Sequence, residues 1–319
     1  MTTTKDYPAF VERRQLWIEC LSGEDPNSVS NQLYQMIWNA AAYRIVNEAR
    51  RLAPPAKEGG VQLNGMLHRL IDSCFWDSQV LAVRRLMDIY PIEEQNSKKR
   101  DKSVFSLTGL LEDMEHHVHF LTRGNILAAE GLEYHADAVR RKEDAYCREQ
   151  IKAGNLAFFV PREVTPRPVE ERHEDLDSLT GTLPQARNPA DCVYPTFFKS
   201  LGERVSNACA TMKAYALSFK AHSATPASRL QVDTNNIQVT LLDLWKAHES
   251  LCRTAQTISA RVLGTGSHFT FLPMPQHDHL IYIEKPLVSS DNVAQIRATW
   301  KSYEDEYQTW EPWEVSELL

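Results

Sequence analysis

A chain of 319 residues, 43% of them hydrophobic and seven of them tryptophan, can bury a full core without a disulfide framework. Its formal net charge of −7 argues against a protein that coats nucleic acid by bulk electrostatics, though it leaves room for a local basic site. The six cysteines form no C-x-x-C pair, and neither an apolar leader nor a run of about 18 apolar residues is present, so a cytoplasmic protein with its cysteines in the core is expected.

Apolar residues return at three- and four-residue spacing through most of the chain, which predicts an all-α helical bundle. The segments FVERRQLWIECL and SVSNQLYQMIWNAAAYRIVNEARRL are the first two helices, the second stopped by Pro54-Pro55 and Gly59-Gly60. A long helix from Val61 to Tyr90 follows, with a buried stripe running from Leu63 through Cys74 to Met87. After a polar loop, Ser106 can cap the helix LTGLLEDMEHHVHF, and the next helix runs from about Tyr134 to Ile151. Six prolines between 161 and 195 predict irregular backbone there. Helical period resumes in TFFKSLGERVSNACATMKAYALSFKAH and TLLDLWKAHESLCRTAQTISARVL, two arms of a hairpin, and the chain ends in an extended stretch and an amphipathic helix from about Asn292. The organisation expected is one helical domain over residues 1–319, with an irregular surface insertion at 152–195 and a C-terminal extension at 264–319.

Four histidine groups could carry chemistry. In EDMEHHVH, the pairs Glu112/His116, Asp113/His117 and Glu115/His119 each share a helix face but point in three directions, whereas a metal site needs convergent ligands. A solvated helix end is expected, with a metal-dependent enzyme as the weaker reading. His277 and His279 lack an evident third ligand, and His173 among the acids of EERHED is expected on the surface. No G-x-S-x-G elbow and no phosphate-cradling glycine loop is present, and no metal or cofactor is expected. At the C-terminus, Trp310 and Trp313 of TWEPWEV are expected to dock the last helix, with a partner surface as the alternative.

The fourth group is His222, in SFKAHSATPASR at the end of a helix. The ordered segments SLTGLLEDM, LTRGN, HEDLDSLTG, YALSFKAHSATPASR and TLLDLWKAHESL resemble the abortive-infection U-type branch of the HEPN superfamily over roughly residues 30–263. The resemblance implies a helical bundle, often a homodimer, and a metal-independent ribonuclease in a bacterial toxin–antitoxin or antiviral defence system. The family's motif is an arginine followed after four to six residues by a histidine. His222 and Ala221 match its end, and Lys220 and Ser218 match loosely inside it. Positions 215–217 are Tyr, Ala and Leu, so the arginine is missing. Histidine can move the proton of a 2′-hydroxyl or leaving group, and a cation can stabilise charge growing on the phosphate. The expected site is therefore catalytic His222 and Lys220, with Lys213, Ser223 and Arg229 as binding residues. Arg261 with His268 is a weaker alternative, and Arg167 with His173 has a similar spacing. The competing expectation is a non-catalytic module that binds RNA, a protein partner or an antitoxin.

Overall fold

The computed structural model describes residues 6–55, 64–92, 103–155, 157–161, 165–220, 239–266, 278, 280–281, 283, 285 and 290–308. Among them are ten α-helices and no sheet, the class that the periodicity predicts. The chain divides into two compact units, Met1–Pro273 and Met274–Leu319.

The first unit holds α1 (Tyr7–Ser22), α2 (Val29–Leu52), α3 (Gly65–Leu86), α4 (Leu107–His116), α5 (Arg123–Ala129), α6 (Ala136–Lys152), α7 (Arg167–Thr180), α8 (Pro195–Tyr215) and α9 (Leu241–Thr257). The second holds α10 (Val293–Gln308). Short polar side chains start several of them by accepting from a free first-turn N–H. Ser28 accepts from Asn31, Asn64 from Leu67, and Ser106 from Gly109, as expected of Ser106. Thr240 and Asp243 form a reciprocal capping box at the head of α9.

α8 is the hub. α9, α4 and α3 all pack on it, and the buried side chains Phe198, Val205, Cys209 and Met212 form its inward stripe. Trp17 of α1 is wholly buried beside this core, and its indole N–H donates to the Asp113 carboxylate at 2.7 Å. Tyr43 of α2 stacks on Phe75 of α3 with ring centroids 3.7 Å apart.

Several expectations need correction. The proline-rich stretch 152–195 is not an irregular surface strap throughout: α7 lies within it, with Pro166 and Pro168 at its head where a missing N–H costs nothing. Val169, Arg172, His173, Leu176, Leu179 and Thr180 make its buried face. Beyond α7 the strap makes a 3-10 turn at Pro184–Ala186 and clasps α5: Arg123 N–H donates to Asp191 and Gly124 N–H to Pro189, both at 2.8 Å. Helix α4 ends at His116 and passes into a 3-10 turn, Val118–Phe120. The expected apolar stripe of α3 is buried only toward its end, with Leu70 and Cys74 exposed. Only Cys20, Cys209 and Cys252 are buried cysteines; Cys147 and Cys192 are half-buried. Within the stretch GTGSHFTFLPMPQHDHLIYIEKP, expected to be extended, Leu280, Ile281 and Ile283 lie in turns closed by Ile281 N–H to Asp278 and Ile283 N–H to Leu280.

Candidate functional site

The α8–α9 arm carries the residues that the sequence singles out. α8 ends at Tyr215 and continues as a π-helical turn, Ala216–Lys220, which packs against α3. A second π-helical turn, Ile258–Val262, closes α9. π-turns are uncommon and recur at functional positions, because the wider spiral re-aims the side chains that follow. Ser218 is buried in the first of them, and Tyr215 meets Phe219 with ring centroids 5.0 Å apart. Lys220 closes this turn. His222, Ser223 and Arg229 lie outside the described residues, as do His268, His277, His279, Trp310 and Trp313.

Lys213 is half-buried on α8 and faces acids of α4. Burial raises the pKa of Glu112, as does neighbouring Glu115, while the Lys213 charge opposes both. Asp113 is occupied: it takes Trp17 and, at 3.4 Å, Arg13, and its backbone carbonyl pairs with the His117 ring at 2.9 Å. His117 lies edge-on to His116 and stacks on Phe120, which His119 meets at a tilt. No group of three metal-binding side chains converges among the described residues.

An arginine–histidine contact does exist, between two segments whose pairing spacing alone could not show. Arg123 of LTRGN has 0% side-chain exposure and donates from every guanidinium nitrogen. Nε donates to Asp191 at 3.2 Å, Nη1 to the His173 Nδ1 and carbonyl at 3.1 Å each, and Nη2 to Asp177 at 2.9 Å and Thr180 at 3.1 Å. All five donors are spent. His173 therefore sits in the core, not on the surface as expected. Its Nε2 faces the Tyr134 carbonyl at 2.8 Å and must donate there, so Nδ1 is the acceptor for Arg123 and the ring is neutral. Burial lowers its pKa, against the Tyr134 bond, and the Arg187 and Arg123 charges lower it further. Burial works to raise Asp177, but hydrogen bonds from Arg187 and Arg123 prevail and hold it below the usual carboxylate range. Arg167, by contrast, is exposed and paired with Glu171.

A second buried cluster ties α1, α5, α7 and the end of α9 together. Arg172 grips Glu130 with Nε and Nη2, at 2.7 Å for the shortest contact, and donates to the carbonyls of Arg261 and Val262. Arg14 donates to the Leu263 carbonyl. Two arginines thus cover the free carbonyls where the π-turn of α9 stops, the negative end of the helix dipole. Burial raises the pKa of Glu130, and Arg172 and Arg14 act against it. Arg261 itself is exposed, 3.5 Å from Asp175.

A third polar link crosses the core at His248. Its Nε2 pairs with the Gln79 Oε1 at 2.9 Å, while the Gln79 Nε2 donates to the Met36 carbonyl at 3.1 Å. Burial, then the nearby Arg44 charge, lowers the His248 pKa to about 4. Sequence reasoning missed all three clusters as sites of interaction. The available signal was the stripe 169, 172, 173, 176, 179 and 180, whose helical period places an arginine and a histidine on the apolar face.

Comparisons with protein-family profiles, with curated proteins and with solved structures give no match.

Proposed function

We propose that this chain is a HEPN-like protein that acts on or binds RNA in a bacterial defence or toxin–antitoxin setting, as a cytoplasmic homodimer, with His222 as its proton-transfer group. The observation that carries the reading is the ordered set of segments and their neighbours in the fold. Arg123 of LTRGN is held by His173, Asp177 and Thr180 of HEDLDSLTG. Helices α4, from SLTGLLEDM, and α9, from TLLDLWKAHESL, both pack on α8, which leads into SFKAHSATPASR. A π-turn at that exit adds to the case.

In this reading His222 takes the 2′-hydroxyl proton or returns one to the leaving group, and Lys220 and Arg229 answer the phosphate charge. Arg123 cannot stand in for the missing arginine, because it is buried and its donors are spent. That same observation favours a second reading, a non-catalytic module that holds RNA, a protein partner or an antitoxin.

Cleavage of labelled total RNA and tRNA with EDTA present separates the two. The ribonuclease reading expects cutting that falls about a hundredfold or more in His222→Ala. RNA retained on a filter without cutting assigns the binding module. Folded protein that neither cuts nor retains RNA removes the RNA reading.

A further inference from the structure

The cleft between α2 and α3 plays no part in the reading above. It encloses about 730 Å³. Six carboxamides line it, from Asn27, Asn31, Gln32, Gln35, Asn39 and Gln79. Two aromatic side chains, Tyr34 and Trp38, join them from one face of α2, four residues apart. The α3 wall is low where Ser78 and Ala82 stand, also four apart, and Arg85 closes one end. In a chain with 42 acidic residues, the described residues that line it include no carboxylate, and Arg85 is the single charge among them. The guanidinium of Arg85 has no ion-pair or hydrogen-bond partner among the described residues. A smaller adjoining cleft shares Asn27, Gln32 and Arg85; the one acid lining it, Asp25, accepts the Asn27 N–H at 2.7 Å.

Hydrogen-bonding capacity is left over in the amide row. Gln35 donates to the Asn39 Oδ1 at 2.8 Å, which fixes both amides and leaves the Gln35 Oε1 as an acceptor beside the Asn39 Nδ2 as a donor. On the floor, Gln32 spends its Nε2 on the carbonyls of Asn27 and Phe105, and its buried Oε1 has no donor among the described residues. Buried acceptors are rarely left so, and a floor that tolerates one suits a partner that the chain itself does not contain.

We propose that this cleft binds a nucleotide, with the base against Trp38 and Tyr34, its edge on Gln35 and Asn39, and its phosphate on Arg85. Every base has a flat face for an aromatic ring and a donor beside an acceptor on its edge, the complement of the free amide pair. A neutral sugar leaves Arg85 unanswered, and a bare phosphate makes no use of the amide row. The same chemistry is offered by a free mononucleotide and by an unpaired nucleotide of an RNA strand. The site is remote in sequence from His222, and neither its occupancy nor its test depends on cleavage there.

The test is equilibrium dialysis with labelled AMP and CMP, with adenosine and inorganic phosphate as partial probes, alongside fluorescence anisotropy with a short single-stranded oligoadenylate. Binding of AMP that weakens about tenfold or more in Arg85→Ala, with adenosine unaffected by that change, supports the site and assigns a free nucleotide. Oligoadenylate binding that is lost in Arg85→Ala, with AMP inert, supports the site and assigns RNA as the source. Asn39→Ala weakens the base-dependent part in either case. Its circular-dichroism melt, and that of Arg85→Ala, should match wild type. His222→Ala leaves all of this binding unchanged, so failure of the ribonuclease reading is distinguishable. Folded wild-type protein that binds neither probe, or binding indifferent to both Arg85→Ala and Asn39→Ala, overturns the proposal.

Discussion

Arg123 shows how a charged side chain can be a core residue. Its desolvation is offset because two carboxylates, a hydroxyl, an imidazole nitrogen and a carbonyl meet its five donors in fixed directions. Removing it takes the guanidinium from Asp191, which keeps the Asn188 N–H, and one of the two guanidinium partners of Asp177, so Arg123→Ala should cost about 3–5 kcal/mol in urea unfolding. Arg123→Lys should recover little of this, since an ammonium has three donors and no fork. Stability within about 1 kcal/mol of wild type for either variant would contradict the arrangement. His248 supplies a pH dependence at the same scale. Its folded pKa, about 4, lies below the unfolded value of about 6.5, so the unfolded chain binds the proton more readily. The stability it contributes is complete above about pH 6.5 and is lost as pH falls toward 4, by up to roughly 3 kcal/mol. His173, also lowered, acts with the same sign. Urea midpoints measured between pH 7 and 4 should fall, and His248→Leu should flatten the slope; a slope identical in the variant would refute the assignment.

At the scale of elements, the helices that sequence made legible are those whose start and period agree. Ser106 caps α4 as its position suggests, and α8 and α9 resume where the apolar period resumes. α7 was obscured because its prolines were weighed as breakers, whereas a proline in the first turn removes only an N–H that has no partner. What no local pattern could show was pairing: Arg123 and His173 are 50 residues apart, and Arg172 reaches Glu130 across 42. The exit from α9 depends on backbone freedom as much as on those arginines. Gly264 has φ +63, and a Cβ there would stand 2.1 Å from the Glu130 Oε1 that Arg172 holds. Gly131 has a similar φ of +72 but open space around it. Gly131→Ala should therefore cost only the left-handed backbone term, about 1–2 kcal/mol. Gly264→Ala should cost more, because relieving the contact disturbs the Arg172–Glu130 grip. Thermal melts of the two variants check the order, and an equal loss in both would show that the grip yields freely.

For the whole molecule, composition and period were enough for the all-α class. Every buried apolar side chain among the described residues lies between Phe10 and Leu263, which puts that core inside Met1–Pro273. In the second unit, Val293, Ile296, Trp300 and Tyr303 form a stripe on α10 at three- and four-residue spacing, and all four are exposed. A stripe of that kind contributes little burial, so the hydrophobic term that stabilises the fold belongs to the first unit. A chain ended after Pro273 should then unfold in one cooperative transition, with a stability within about 1 kcal/mol of the full chain. The measurement is urea unfolding followed by both far-ultraviolet circular dichroism and tryptophan fluorescence. Coincident curves with a retained midpoint would confirm that the bundle is autonomous. A broad transition, or a loss well beyond that margin, would mean that residues 274–319 complete the core, and the α8–α9 arm and the α2–α3 cleft would then have to be studied only in the intact protein.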